Sequence, residues 1–259
     1  MKKSWVMFML VALTVLLAAC GGGGGQEDPK AFTTPYQDQI DAMQRAVDAY
    51  REETGGLLPI KTRDQSVDPY IKYPIEFEKI VPKYTEKLPL NAYERGGVYQ
   101  YVLYDVEENP TVKLVDIRAA ERIRELNLRK HVNSSVKFGE EIADAVYAVQ
   151  YEEMGFNGPL TVPSPYSETQ LPIVVGGDGN FYVDYSIDLA NELKKTEFEV
   201  KEGEDIRYIL AEAYNVLPAY SLPYTLNEEG EPTFSARPEP KTTDSSSSVE
   251  EKEEPSEES

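Results

Sequence analysis

The chain has a single cysteine among its 259 residues, Cys20, and it stands at the end of an apolar run. That limits what can hold the rest together. No internal disulfide can form in the sequence beyond it, whatever the redox compartment. A thiolate zinc site and a cysteine nucleophile are excluded there for the same reason. A hydrophobic core must carry the fold, and a region of about two hundred residues buries enough surface for one.

Residues 1–19 supply Lys2 and Lys3, an apolar stretch from Trp5 to Leu17 interrupted by Thr14, then Ala18 and Ala19. This is the order of charge, apolar core and small residues in a secretory leader. The stretch is short for a membrane span. Leu17-Ala18-Ala19-Cys20 resembles the bacterial lipobox. The resemblance implies a thioether from Cys20 to diacylglycerol, cleavage before Cys20, and a new amino group open to a further acyl chain such as palmitate. Two acyl chains hold a protein firmly to a bilayer, whereas one does not. An uncleaved anchor and simple secretion are the alternatives. The expected partner is membrane lipid through Cys20, and the expected place is the outer face of the cell membrane of a Gram-positive bacterium. No other cofactor and no metal is expected.

The chain carries 26 Lys and Arg against 46 Asp and Glu, a formal charge of −20. Such a surface repels nucleic acid phosphates and anionic headgroups. Nucleic acid is therefore not an expected partner, and an acyl group rather than a basic patch must do the anchoring.

Four segments follow from composition: a cleaved leader at 1–19, the lipidated cysteine and a tether rich in glycine (Gly21 to Gly25) at 20–35, an extracytoplasmic region at 36–226, and a tail of Ser, Glu and Pro at 227–259 that has no core to build. Within 36–226, apolar residues at three- and four-residue spacing predict helices over Gln37–Glu53, Ile117–Leu128, Gly139–Met154, Asp188–Lys195 and Asp205–Val216. Between Glu76 and Val81 one short helical turn is expected. Runs of β formers predict strands over Val98–Val106 and Val112–Ile117, and another after a turn at Gly176–Asn180. Thr196–Val200 reads as extended. The fold class expected is α+β, with short antiparallel sheets and packed helices.

Ala42, Ala46 and Ala49, then Glu52-Glu53-Thr54-Gly55 and Pro59, correspond at an offset of one hundred residues to Ile142, Val146 and Val149, then Glu152-Glu153-Met154-Gly155 and Pro159. Two readings stand: a duplication of related helix–Pro–strand units at 36–130 and 137–226, or chance similarity of helix ends.

No Gly-x-Ser-x-Gly, His-Glu-x-x-His, Walker or dinucleotide motif occurs. His131 is the only histidine. Asp178 and Asn180 suggest the start of a calcium loop, but Val183 and Leu189 stand where Gly and Glu are needed. No catalytic residue is nominated. The chain has 18 tyrosines, and Tyr99, Tyr101, Tyr104, Tyr182 and Tyr185 are the candidate binding surface, since alternate residues of a strand share a face. The competing reading places these rings in a half-buried sheet.

The lipobox, the glycine tether, the helix–Gly–Pro unit and the acidic tail together resemble uncharacterised lipoproteins of Bacillus and its relatives. What this implies is a surface lipoprotein with a non-enzymatic binding or envelope-assembly role, its ligand an envelope protein or a small molecule. Some members of such groups carry labels of a transporter's solute-binding component, which is the alternative. An envelope hydrolase with carboxylates brought together by the fold is the third reading.

Overall fold

The computed structural model describes residues 34–235, apart from 62, 65, 66, 134, 196, 197, 199 and 202. The expected leader, Cys20, the glycine run, residues 236–259 of the expected tail and most of the expected extended piece at 196–200 lie outside the described residues. What is described is α+β, with short antiparallel sheets and several packed helices.

Helix α1 (Thr34–Glu53) buries Ile40, Met43, Ala46 and Val47 because their spacing puts them on one face. Gly55 and Gly56 end it with φ of 73° and 103°, a conformation that costs glycine little. The Gly56 amide donates to the Arg51 carbonyl at 2.8 Å. Strands β1 (Tyr99–Tyr104) and β2 (Thr111–Asp116) form an antiparallel hairpin, with Tyr99 opposite Asp116 and Tyr104 opposite Thr111. α1 lies on β2. There the Gln44 carboxamide accepts from the Val112 amide at 2.7 Å and donates to the Pro110 carbonyl at 3.1 Å.

The long connection between α1 and β1 is ordered by the same hairpin. The Ile75 amide donates to the Tyr101 carbonyl at 3.0 Å, and the short helix α2 (Phe77–Ile80) drops Phe77 and Ile80 into the core. This first core gathers Ile40, Met43, Val47, Ile75, Ile80, Tyr101, Leu103 and Leu114.

Helix α3 (Ile117–Asn133) starts directly after β2, where the Asp116 carboxylate accepts from the Arg118 amide at 2.9 Å. The core changes at this point. Ala119 and Leu126 of α3 pack into a second core with Val146, Leu171, Val175, Val183, Leu189, Ile206, Leu210 and Tyr224. The change falls at Asp116–Ile117, ahead of the division at 130 read from the sequence. The second core is built on β3 (Phe138–Ala143), β4 (Val146–Val149), β5 (Thr161–Pro163), β6 (Gln170–Gly176) and β7 (Phe181–Val183). Their order is β3-β4-β6-β5, with β7 also paired to β6. Helices α4 (Ser186–Leu193) and α5 (Tyr208–Ala213) and the hairpin β8 (Tyr224–Leu226) and β9 (Pro232–Phe234) complete it.

Two sequence expectations are overturned. The tail expected from residue 227 starts later, because β9 pairs with β8 and buries Phe234 in the second core. The helix over Gly139–Met154 is a hairpin, β3 and β4, followed by a turn. Ile142, Val146 and Val149 fit a helical period, but β6 offers Val174, Val175 and Gly176 as pairing partners for Ala148, Tyr147 and Val146. Ala145 turns the chain at φ 55°. Tertiary pairing thus outweighs a local helical pattern. The hundred-residue correspondence therefore sets a helix against a hairpin. A looser likeness in the sequence, Gly97–Asp105 against Gly179–Asp188, sets β1, which opens a hairpin, against β7, which closes one.

Candidate functional site

Two kinds of contact join the cores. Leu114 of β2 bridges Val216 in parallel: its amide donates to the Asn215 carbonyl, and the Leu217 amide donates back to the Leu114 carbonyl, both at 2.8 Å. A small cluster of Tyr70, Val102, Val115, Ala211, Leu217 and Ala219 fills the space behind this bridge.

Beside it lies a buried ion network. Arg207 is 2% exposed. Its guanidinium is forked on Asp205 at 2.8–3.1 Å, donates to the Ser221 carbonyl at 2.8 Å and lies 3.8 Å from Asp68. Asp68 in turn accepts from the Tyr70 and Tyr220 amides at 3.1 and 2.7 Å. The Tyr70 ring sits 5.0 Å from the guanidinium and stacks on Tyr104. Burial pushes the Asp68 carboxyl up despite the neighbouring Arg207. Asp68 belongs to the first half of the chain and Arg207 to the second, so the network seals one side of the seam.

The other side is open. A groove of about 730 Å³ is bounded by the start of α1 (Tyr36, Gln37), by Tyr99 and Arg118, by the β5–β6 loop from Pro163 to Gln170, and by Ala213 to Val216. Its walls are mainly tyrosine, proline, hydroxyl and amide groups. The Arg118 guanidinium is forked on the buried Asp116, its shortest contact being 2.5 Å, and that hydrogen bonding raises its affinity for the proton further. Burial, with Asp116 adding, pushes the Tyr99 phenol up to about 12. The Arg118 charge is thus neutralised by Asp116 and the phenol stays protonated, while Glu168 stands exposed on the rim.

The loop keeps its shape because hydroxyls tie it to α4. Asp188 of α4 accepts from Ser164 at 2.8 Å and from Ser167 at 2.7 Å. The Ser164 hydroxyl also accepts from the Tyr166 and Ser167 amides at 3.0 and 3.1 Å. Burial raises the Asp188 carboxyl, against the two serines. One turn on, Glu192 accepts from Tyr214 and from Lys195, each at 2.7 Å. Burial pushes Glu192 up, but these hydrogen bonds outweigh it and hold the carboxyl low. Tyr166 packs 4.9 Å from Tyr214, and its hydroxyl donates to the Val216 carbonyl at 3.0 Å.

The five tyrosines proposed from sequence do not share one face. Tyr99 borders the groove but is itself buried in the first core. Tyr101 is buried in the first core, donating to Asn91 at 2.7 Å. Tyr185 is buried in the second, donating to the Ala219 carbonyl at 3.2 Å. Tyr104 stacks on Tyr70, and Tyr182 donates to Asp178 at 2.6 Å in the β6–β7 turn. That turn is a tight hairpin closed by the Asp178 and Asn180 side chains. Sequence reasoning missed Arg118, Arg207 and the segment Ser164–Ser167. The turn formers of Pro163-Ser164-Pro165-Tyr166-Ser167, set between two β-forming runs, were the available signal.

Among the described residues, no group of three or more His, Asp or Glu side chains could hold a metal ion, and no helix is long and apolar enough to cross a membrane. His131 is exposed near the end of α3, while its neighbours are engaged: Lys130 donates to the Gly179 carbonyl at 2.6 Å and Arg129 lies over Phe156. The model of the YphF family N-terminal domain matches residues 36–116, under a third of the chain. That match ends with β2, where the first core also ends. No curated protein and no solved structure matches the chain significantly. Over residues 36–116, then, the chain is similar to the YphF family N-terminal domain.

Proposed function

We propose that this chain is a lipid-anchored surface protein whose described fold is a non-enzymatic binding domain, receiving its ligand in the groove beside Tyr36, Tyr99 and Tyr214. The observation that carries the reading is the groove itself. It is an open surface mainly of aromatic faces, prolines and hydroxyls, with Glu168 at its rim, the composition that suits an extended ligand such as a peptide segment or a glycan strand. Anchorage would raise the local concentration of such a ligand by confining both to the envelope. A transporter's solute binder needs two lobes that close on a small molecule. Here the backbone bridge at Leu114 and the buried Arg207 network tie the halves together and resist closure. A fixed groove therefore fits the chain better than a hinged cleft.

Hydrolysis is a second reading favoured by one observation. Asp188 and Glu192 lie four residues apart on α4, with carboxyl affinities pushed in opposite directions, as acid–base pairs require. It ranks second because Ser164, Ser167, Tyr214 and Lys195 already occupy their oxygens, and neither carboxylate lines the groove.

Two measurements test the proposal. Metabolic acyl labelling should be lost in Cys20→Ser, and equal labelling of that variant refutes the anchor. Photoreactive side chains at Gln37 and Glu168, both exposed on the groove rim, should give the same adduct in intact cells. Adducts that differ, or none, argue against a common ligand.

A further inference from the structure

The groove is not the only surface set at the start of α1. The segment Leu88–Arg95 packs beside the same helix turns. The Gln39 side-chain oxygen accepts from the Leu90 amide at 2.6 Å and from the Asn91 amide at 3.5 Å. Ala92 bridges Tyr99, whose ring meets Tyr36 edge-on at 5.5 Å. Tyr93–Arg95 makes one 3-10 turn, closed by Gly96 at φ 85°, and the Arg95 guanidinium donates back to the Leu88 carbonyl at 3.2 Å. A Cβ at Gly97 would meet the Asn91 carbonyl oxygen at 2.0 Å, so the loop is folded tightly on itself. On this well-tied loop Leu90 is 69% and Tyr93 59% exposed. Two large apolar side chains are held out on a built scaffold.

We propose that this loop lies against the lipid headgroup surface when the chain is anchored through Cys20, with Leu90 and Tyr93 at the contact. The proposal rests on the anchor reading. The chain outside the structure argues for lipid as the occupant. Residues 21–33 alone separate Cys20 from Thr34, and fully extended they reach no further than about 50 Å. The start of α1 is thus the part of the fold tied nearest the bilayer. Gln39, which holds Leu90, is five residues on from Thr34, about 8 Å along the helix axis. Charge does not oppose this: within a chain of −20, the loop Leu88–Arg95 is neutral, with Arg95 against Glu94. Tyrosine and leucine flanked by long cationic side chains are the residues that settle at a membrane interface. Exposed Asp38 on α1 favours a zwitterionic over an anionic surface. The contact orients the domain, while the acyl group does the anchoring. With α1 held this way, the mouth of the groove at Tyr36 and Gln37 stays close to the membrane.

The other exposed apolar residues supply a control. Val132, 74% exposed, lies about 21 Å along α3 from the groove residue Arg118. The test uses the full acylated chain, purified from membranes and reconstituted into phosphatidylcholine vesicles with brominated acyl chains. Trp5 is the only tryptophan and leaves with the leader, so in the acylated chain one introduced indole reports alone. Leu90→Trp and Tyr93→Trp should each show blue-shifted emission and lose most of it to the bromolipid. Val132→Trp should emit as in water and keep its intensity. An unquenched, water-like indole at 90 on protein whose Cys20 is shown by mass spectrometry to be acylated overturns the orientation; so does quenching at 132 equal to that at 90. A mass spectrum with no acyl group on Cys20 defeats the anchor reading, and this contact falls with it.

Discussion

The seam between the two cores is treated in opposite ways on its two sides. On one, Asp68, Asp205, Arg207 and Tyr70 fill the gap with a guanidinium whose three nitrogens each donate to a carboxylate or a carbonyl. On the other, Asp116 and Arg118 make a comparable fork, but the β5–β6 loop stands off and leaves a groove. The ion pairs differ in setting more than in geometry. The Arg207 side chain is 3% exposed and that of Arg118 33%. A paired guanidinium can therefore serve as filling or as a rim, and what distinguishes the two is the hydroxyl-rich loop that Asp188 holds away from α1.

The contrast can be broken most forcibly at Arg207. Arg207→Met leaves Asp68 and Asp205 without their cation in a buried site, and a loss of about 3–5 kcal/mol is expected by urea denaturation. A loss as small as a surface substitution gives would show the seam to be wet. The rim pair should matter less. Asp116→Asn keeps the shape and removes a charged acceptor, for an expected loss of about 1.5–3 kcal/mol. A loss equal to that of Arg207→Met would erase the distinction drawn here.

The loop tie makes a prediction in pH. Asp188 is raised in the fold, chiefly by burial, so the folded state binds its proton more tightly than the unfolded state does. Stability should then fall as pH rises from about 4, the ordinary carboxylate value, through the higher folded value. Asp188→Asn removes that slope, leaving the similar contribution of Asp68. Denaturation midpoints measured from pH 4 to 7 should be flatter for the variant, and parallel curves would contradict the assignment. The smallest effect on stability is expected at the groove itself. Ala213→Trp, at an exposed lining position, should change stability by no more than about 0.5 kcal/mol while filling the space a ligand needs.

Much of the fold was legible from local chemistry. α1 announces itself through Ile40, Met43 and Val47 and its glycine stop, and the β1–β2 hairpin through Tyr99–Tyr104 and its partner Thr111–Asp116. Local pattern failed at Phe138–Val149, where the same residues satisfy a helical period and a strand pairing, and only the presence of β6 decides. The site was less legible still. Tyrosines chosen for alternation along strands went mostly to the cores, because a buried ring with a satisfied hydroxyl is stable there: Tyr101 finds Asn91 and Tyr185 finds the Ala219 carbonyl. The groove is assembled from Tyr36, Arg118, Ser164 and Tyr214, which belong to four separate elements. No spacing rule links them.

The central claim is that the open side of the seam, and not the protein surface at large, receives the ligand. Ala213 lines the groove, whereas its exposed neighbour Glu212 does not. Photoreactive side chains placed at these two positions in the anchored full chain compare the surfaces one residue apart. The account predicts a discrete adduct from position 213 that is absent from 212 and is lost when Tyr36→Trp crowds the groove. Equal adducts from 212 and 213, insensitive to that substitution, would contradict it.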